Sequence, residues 1–232
     1  MVQDVHGQAI LDYYKGDHSV SLKLHNSYGV PEEMPVEVFF REPEDFSEIE
    51  NTAIANCRGR ILDIGAAAGA HSLLLQSLEM DVTALDYSPG CQITMEKSGV
   101  EKVVCEDFQK HQGKYDTILV LMNGLGLAGT LDQIPNFLNK CFNLLNSDGQ
   151  ILIDSSDISY LYEGDLERPN GYFGEVKYQY EYTCKKGDWF NWVYVDQLTL
   201  KNIVTELGIK YELLLEDEND QYLIRLVRDQ KS

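Results

Sequence analysis

The sequence predicts an α/β fold in which a mostly parallel sheet is built from strands that alternate with helices. Short apolar runs typical of buried strands recur along the chain, at residues 60–64, 81–85, 100–105, 115–121 and 150–154. A helix is predicted between the last two, because apolar residues follow helical spacing from 131 to 145. The first run enters a turn of glycine and alanine alone, as in the strand–turn–helix units of parallel sheets.

Before these runs lies a segment of about 57 residues that we predict to be mainly helical. A short helix contains residues 10–14, and a second helix runs from about 43 to 57. Between them, residues 36–41 are apolar enough to pack against a core. This segment is therefore predicted to be a cap that precedes the central sheet.

The turn at residues 65–69 is suited to close approach by a ligand. Its side chains are the smallest available, and its amides, with the positive end of the next helix, favour a polar or anionic group. The run at 81–85 ends in Asp86, whose carboxylate can accept two hydrogen bonds from a ribose diol. Together these features predict a nucleotide-containing cofactor on a Rossmann-like sheet.

One residue in the turn and one just before it indicate which cofactor the site would bind. Ala67 places a methyl group where the pyrophosphate of a dinucleotide needs the closest approach. Asp63, two places before the first glycine, would also be unfavourable beside pyrophosphate but suits a cationic amino group. The sequence therefore favours S-adenosylmethionine over a nicotinamide dinucleotide.

The pattern of an apolar strand, Asp63, Gly65 and Gly69, followed by Asp86, resembles class I S-adenosylmethionine-dependent methyltransferases, and most closely the broad methyltransferase type 11/25 group. The resemblance covers residues 57–155 and 196–229, and it departs from the family at Ala67, where a glycine is usual. It implies that an acidic residue after the third strand binds the adenine amino group and that an apolar neighbour packs on the ring. The cofactor-binding residues are then predicted to be Asp63, Gly65, Ala66, Ala67, Gly69, Asp86, Tyr87, Asp107, Phe108, Met122 and Asn123.

The end of the chain completes the predicted sheet. Thr130 and Gln133 are spaced as a capping box for the helix at 131–145, and residues 146–149 are predicted to turn into the fifth strand. Asp196 can cap a further helix that ends at Gly208. Two strands then form a final antiparallel hairpin, which gives seven strands with helices on both faces.

The segment between the fifth strand and that last helix is predicted to be an inserted β-hairpin. It holds 11 of the 24 aromatic residues, and residues 176–184 alternate between apolar and polar before a turn predicted at 185–188. An aromatic hairpin at this end of the sheet suits a substrate lid, although its rings could instead form its own core or a dimer contact. With the N-terminal cap, which in this family commonly closes over the cofactor, it supplies the predicted substrate contacts Tyr13, Phe40, Arg41, Tyr160, Trp189 and Trp192.

The composition limits the kinds of partner that the protein is expected to bind. The net charge of −19 leaves no obvious basic stripe for nucleic acid or an anionic membrane, so a small-molecule substrate is expected. No run of eighteen apolar residues or secretion signal is present, and the five cysteines show no metal-ligand spacing. We expect one domain of 232 residues, cytoplasmic, without a metal, and monomeric or homodimeric. Its predicted parts are a cap at 1–57, a cofactor core at 58–155, a lid at 156–195 and a C-terminal helix and hairpin at 196–232.

Methyl transfer from a sulfonium requires mainly that the acceptor atom is aligned with the methyl group. A base is needed only when the acceptor must lose a proton. Asn123 is the predicted positioning residue and His25 a candidate base, whereas a helix-surface or packing role is expected for His71. The other histidines, His6, His18 and His111, are predicted to lie at the surface. The alternative to an enzyme is a module that binds S-adenosylmethionine or S-adenosylhomocysteine without catalysis and acts in regulation.

Overall fold

The structure is a computed structural model that describes residues 4–19, 21–164 and 166–228. In these ranges the helices α1–α6 occupy Val5–Tyr14, Glu48–Ala55, Ala70–Ser77, Pro89–Ser98, Ile134–Leu144 and Gln197–Glu206. The strands β1–β6 occupy Ser21–Asn26, Glu32–Pro35, Arg60–Ile64, Asp81–Asp86, Val103–Cys105 and Tyr115–Val120. The strands β7–β12 occupy Leu145–Ser156, Glu175–Tyr182, Lys185–Lys186, Phe190–Val193, Ile209–Glu216 and Gln221–Arg228.

Seven of these strands form the predicted central sheet, in the order β11-β12-β7-β6-β3-β4-β5. Strand β4 runs parallel to β5, and β6 runs parallel to β7. Strand β12 is antiparallel to both β7 and β11, which confirms the C-terminal hairpin. The order reverses between β3 and β6, which is the topological switch point of an open α/β sheet. The predicted fold class is confirmed.

The chain divides into two compact units. The first contains residues 1–46, 62–111 and 177–190, and the second contains 47–61, 112–176 and 191–232. The division does not follow the predicted cap, core and lid, whose boundaries remain a prediction.

In the first unit, the N-terminal segment contains two strands that the sequence analysis did not predict. Strand β1 pairs with β2 and also with β8, both antiparallel, and β9 pairs with β8 in the same sheet. Leu22 and Leu24 are buried on one face of β1 while Ser21 and Lys23 are exposed. This period of two was the available signal, and it was missed because the segment was treated as helical.

The aromatic hairpin is present, but its predicted turn at residues 185–188 is wrong. Glu181 pairs with Lys186, and Tyr182 pairs with Lys185, so the chain reverses at Thr183 and Cys184. Both turn residues have positive φ, at 48° and 61°, as a two-residue type I′ turn requires. Glycine, asparagine and aspartate favour this turn, so Thr-Cys gave no sequence signal for it.

The second helix is shorter than predicted because a cap interrupts the segment. A 3₁₀ turn at Pro43–Asp45 ends before an extended Phe46, and α2 begins only after Ser47. The Ser47 hydroxyl accepts the Glu50 N–H while the Glu50 carboxylate accepts the Ser47 N–H, which forms a capping box. Such caps contribute about 1 kcal/mol to helix stability, enough to fix this start.

In the second unit, the prediction for the helix before β7 is partly wrong. Residues 131–133 form a 3₁₀ turn, and Thr130 donates its hydroxyl to Asp132 rather than capping the helix. The helix α5 ends at Leu144, and Leu145 already pairs with Tyr115 at the start of β7. The final helix is as predicted, because the Asp196 carboxylate accepts the Thr199 N–H and Gly208 follows with a φ of 66°.

Candidate active site

The glycine–alanine turn after β3 is held against the end of β4. The amides of Gly65 and Ala66 donate to the Leu85 carbonyl at 2.8 and 3.2 Å. Gly69 precedes α3 with a φ of 88°, and a Cβ at this position would lie 2.9 Å from Val100 Cγ2. Gly69 therefore serves both the turn and the packing beneath it.

Ala67, the departure from the family pattern, adopts a left-handed conformation with a φ of 50°. An L-residue pays about 1–2 kcal/mol for this conformation, which explains why glycine is usual there. The Ala67 amide donates to Asp86 Oδ2 at 3.0 Å, so the strained residue also holds the carboxylate at the end of β4. The alanine is compatible with the turn but is not the residue of lowest strain.

Asp63 lies at the end of β3 and is 2% exposed. Burial raises the pKa of its carboxyl, and nearby His71 and the Ser72 hydroxyl, which donates at 2.7 Å, oppose that rise. His71 is itself buried, and its ring lies 5.0 Å from that of Phe46. Because few groups offset the cost of burying this carboxylate, its charged form would be stabilised by a bound cationic group.

Asp86 is buried at the end of β4, and its two oxygens are used separately. Oδ2 accepts the Ala67 N–H, and Oδ1 accepts the Ser88 N–H at 2.9 Å. Burial raises the pKa of this carboxyl to about 6, although hydrogen bonds from the backbone of Ser88, Ala67 and Tyr87 oppose the rise. A carboxylate has about four acceptor sites in all, so these backbone contacts leave capacity for a further hydrogen bond. The remaining acceptor capacity of the carboxylate suits a hydroxyl of a vicinal diol.

The predicted adenine contacts lie on exposed segments beside this strand. Tyr87 is 70% exposed. Asp107 is also exposed, and its carboxylate accepts the Gln109 N–H at 2.9 Å, which fixes the loop that carries Phe108. The prediction for His111 is wrong, because its ring is buried with Nδ1 2.6 Å from Glu106 Oε1. His6 is also not at the surface but stacks on Tyr180.

In the second unit, Met122 and Asn123 follow β6 and have φ values of 61° and 57°. Two consecutive left-handed residues other than glycine are a strained arrangement that the surroundings must stabilise. Asp154, at 1% exposure on β7, accepts the N–H groups of Asn123 and Gly124 at 3.0 and 3.2 Å. It also accepts Gln221 Nε2 at 2.7 Å.

Asp154 was missed by the sequence analysis. Its signal was an acidic residue near the carboxyl end of a strand, the same position that singled out Asp63 and Asp86. The Asn123 side-chain oxygen accepts the Ser156 hydroxyl at 2.7 Å, so both the backbone and the side chain of Asn123 are held by β7.

The predicted substrate contacts are divided between the units. In the first unit, Tyr13 stacks on Phe40 with ring centroids 4.8 Å apart. Arg41 Nε donates to the Val38 carbonyl, and its guanidinium lies 5.6 Å from the Phe46 ring. Trp189 is half exposed.

In the second unit, Tyr160 is exposed and Trp192 packs on the loop after β6. A Cβ on Gly126 would lie 2.0 Å from the Trp192 ring, so the absence of a side chain there makes room for the indole. A cavity of about 300 Å³ in this unit is lined by none of the predicted site residues; its walls include Lys114, Phe142 and Arg228.

The candidate base His25 lies on β1 with Nε2 2.7 Å from Glu181 Oε2. Lys186 Nζ lies 3.4 Å from the same carboxylate oxygen. The hydrogen bond from His25 is the largest cause that holds the pKa of Glu181 below its ordinary value. Within the described ranges, no group of three or more His, Cys, Asp or Glu residues is arranged to hold a metal ion. None of the helices in those ranges is long and apolar enough to cross a membrane.

Comparison with known proteins finds a relative with 35% identity and structures with the same fold. A methyltransferase from Bacteroides fragilis, solved in complex with S-adenosyl-L-homocysteine, has 35% identity and a TM-score of 0.90 over 98% of both chains. The CcbJ methyltransferase from Streptomyces caelestis has 11% identity and a TM-score of 0.63, over 82% of this chain and 98% of that chain. The sugar N-methyltransferase KedS8 from a Streptoalloteichus species has 14% identity and a TM-score of 0.56, over 87% of this chain and 96% of that chain. No protein-family model and no curated protein matches the chain.

The two distant structures are similar in fold alone. The Bacteroides protein carries more weight, because its identity extends over nearly the whole of both chains and it was solved with the product of the predicted cofactor. The predictions of family, enzyme class and cofactor are thereby confirmed. This chain belongs to the S-adenosylmethionine-dependent methyltransferases.

Proposed function

We propose that this methyltransferase acts on a small molecule in the cytoplasm, as a monomer or homodimer. The observation that carries the proposal is the charge of −19, from 38 acidic against 19 basic residues. Nucleic acids and anionic membranes are recognised through basic surface, so this balance disfavours both as substrates. The name of the similarly folded KedS8 describes a sugar N-methyltransferase, which is consistent with a small acceptor.

The first unit is proposed to bind the cofactor. Asp63 would hold the amino group of the methionine part, because its carboxylate is buried with one hydroxyl donor and accommodates a cation. The turn at residues 65–69 would approach the cofactor through its backbone, with Gly65, Ala66, Ala67 and Gly69 as contacts. Asp86 would accept a ribose hydroxyl with its remaining acceptor capacity.

The adenine is proposed to lie among Tyr87, Asp107 and Phe108. The Asp107 carboxylate uses one acceptor site for Gln109, which leaves capacity for the exocyclic amino group. The exposed Tyr87 ring and the Phe108 ring offer apolar surface for the base.

When bound, S-adenosylmethionine supplies a methyl group on a sulfonium, whose transfer leaves S-adenosylhomocysteine. Met122 and Asn123 in the second unit are proposed to lie at the methyl end. Asn123 is held at its backbone by Asp154 and at its side-chain oxygen by Ser156. It therefore keeps the side-chain amide N–H groups as the donors that can orient an acceptor. Holding an acceptor in line with the methyl group supplies much of the acceleration.

The substrate contacts remain those predicted, with roles set by their surroundings. Trp189 and Tyr160 are exposed aromatic side chains that can cover an acceptor, and Trp192 is fixed on its loop. Tyr13, Phe40 and Arg41 are proposed to line the site from the cap. His25 can act as a base through Nδ1 when the acceptor carries a proton, because Glu181 holds Nε2.

The proposal is tested by incubating the protein with S-adenosylmethionine and panels of small amines, hydroxyl compounds and carboxylic acids, with RNA and DNA in parallel. Formation of S-adenosylhomocysteine is measured. We expect turnover with a small molecule, and a lower kcat in Trp189→Ala with unchanged cofactor affinity. Turnover with a nucleic acid alone would contradict the proposed substrate class. Cofactor binding with no turnover on any panel would favour the non-catalytic alternative.

A further inference from the structure

The helices α1 and α4 lie side by side in the first unit, in close contact and in the same direction. A Cβ on Gly90 would lie 2.3 Å from the Gly7 backbone, and one on Gly7 would lie 1.9 Å from Ser88 Oγ. Farther along both helices, Tyr14 donates its hydroxyl to the Lys97 carbonyl at 2.9 Å. The two amino-terminal ends are therefore adjacent.

This arrangement has an electrostatic cost that one side chain offsets. Each helix carries a partial positive charge at its amino-terminal end, and two such ends repel when they are neighbours. The Asp4 carboxylate serves both, because it accepts the Gly7 N–H of α1 at 3.0 Å and the Gly90 N–H of α4 at 2.9 Å. It also accepts the Ser88 hydroxyl, with 2.8 Å to each oxygen.

Ser88 connects this carboxylate to Asp86. The serine is 1% exposed and precedes α4, where its Oγ accepts the Cys91 N–H at 3.1 Å while it donates to Asp4. Its own N–H donates to Asp86 Oδ1 at 2.9 Å. A continuous series of hydrogen bonds therefore runs from the start of α1 to the carboxylate proposed to hold the ribose.

We propose that Asp4 is a positioning residue for the cofactor: through Ser88 it fixes the orientation of Asp86, and it couples the docking of α1 to occupation of the cofactor site. The proposal rests on the proposed role of Asp86. It assigns to the N-terminal helix a contribution to cofactor affinity that needs no contact with the cofactor.

The ionisable groups around Asp86 determine how cofactor affinity depends on pH, so the coupling between Asp4 and Asp86 can be measured. Burial is the largest cause that raises the Asp86 pKa to about 6, and the Asp4 charge adds to the rise. Three neighbouring groups, Tyr87, Cys91 of α4 and Cys105 of β5, have pKa values raised chiefly by burial and stay neutral below pH 8.

His6 of α1, beside Asp4, has a pKa lowered by burial to about 4 and is neutral above pH 5. The pKa of Asp63 is also raised by burial, so the part of the pH dependence between pH 5 and 8 that reports on Asp86 is the part that Asp86→Asn abolishes. Ribose hydroxyls donate to the ionised carboxylate, so affinity should fall as pH falls through about 6.

The experiment is calorimetric titration of the full chain with S-adenosylhomocysteine at several pH values between 5 and 8. Wild type is compared with Asp4→Asn, Ser88→Ala, Asp86→Asn and the control Tyr14→Phe, which removes a hydrogen bond between α1 and α4 that does not involve Asp4. At pH 7.5 we expect about tenfold weaker binding in Asp4→Asn and Ser88→Ala, the size of one charge-assisted hydrogen bond. We also expect the pH at which affinity falls to be lower in Asp4→Asn, since a negative charge beside Asp86 is gone.

Tyr14→Phe should stay within about twofold of wild type, with its pH dependence unchanged. An equal loss of S-adenosylhomocysteine affinity in Asp4→Asn and Tyr14→Phe, with no shift in the pH dependence, would overturn the proposal. It would show that Asp4 only docks the helix α1. Wild-type affinity in Asp4→Asn and Ser88→Ala would overturn it too. If Asp4→Asn does not fold, the proposal is tested by comparing the affinity of Ser88→Ala with that of Tyr14→Phe and wild type. Wild-type affinity in Asp86→Asn would instead refute the role of Asp86, which separates that failure from failure of the coupling.

Discussion

Replacement of Asp86 by asparagine should stabilise the ligand-free protein while it weakens cofactor binding. Burial raises the pKa of this carboxyl from its ordinary 3.8 to about 6. A raised carboxyl pKa means that the folded state binds the proton more tightly than the unfolded state. The associated stability is present below about pH 3.8 and is lost as pH rises through about 6.

The expected magnitude follows from the two pKa values. At about 1.4 kcal/mol for each unit of pKa, the ionised carboxylate costs about 3 kcal/mol at pH 7.5. Asparagine carries no charge but has one acceptor oxygen, so either Ala67 or Ser88 loses its hydrogen bond, at about 1 kcal/mol. The net gain is about 2 kcal/mol, which for a chain of this length raises Tm by roughly 4–8 °C.

The assay is thermal unfolding of wild type and Asp86→Asn at pH 5 and pH 7.5 without ligand, followed by titration with S-adenosylhomocysteine. The gain in Tm should be larger at pH 7.5 than at pH 5, and affinity should fall by about 1–3 kcal/mol. Asp188→Asn, at an exposed aspartate of the same unit, is the matched control and should change neither. A variant that is less stable than wild type at pH 7.5, or equally shifted at both pH values, would refute this reasoning.

Ala67→Gly should raise the free energy of unfolding by up to about 1 kcal/mol in chemical denaturation, because it relieves a positive φ; a loss of stability would show that Ala67 is not strained. Gly126→Ala should displace the Trp192 indole, since the added Cβ would lie 2.0 Å from the ring, and an unchanged tryptophan emission spectrum would contradict that packing. Asp154→Asn should lower the free energy of unfolding by about 1–3 kcal/mol and lower kcat once an acceptor is known, because it weakens the hold on Asn123. Wild-type stability and turnover would show that Asp154 does not support the loop.

The central sheet and the cofactor could be predicted because local chemistry determines them. Apolar runs that end in Asp63 and Asp86, with a turn of small residues between, leave few alternatives to a parallel sheet with a nucleotide-containing cofactor. The C-terminal hairpin was predicted for the same reason, since Gly208 and the acidic turn at 217–220 delimit two strands.

The remaining errors concern features that depend on distant contacts. Strand β1 is stable because it pairs with β8, some 150 residues later, and its own six residues gave only two buried leucines as a signal. His6 and His111 were expected at the surface because no local pattern shows that Tyr180 and Glu106 enclose them. The role of Asp4 depends on two helices that are distant in sequence.

The measurement that tests the account most directly is calorimetric titration of the wild-type protein with S-adenosylmethionine, S-adenosylhomocysteine and the nicotinamide dinucleotides. We expect both adenosyl ligands to bind at micromolar concentration with one site per chain, and no nicotinamide cofactor to bind. Binding of a nicotinamide dinucleotide, or no binding of either adenosyl ligand, would contradict it.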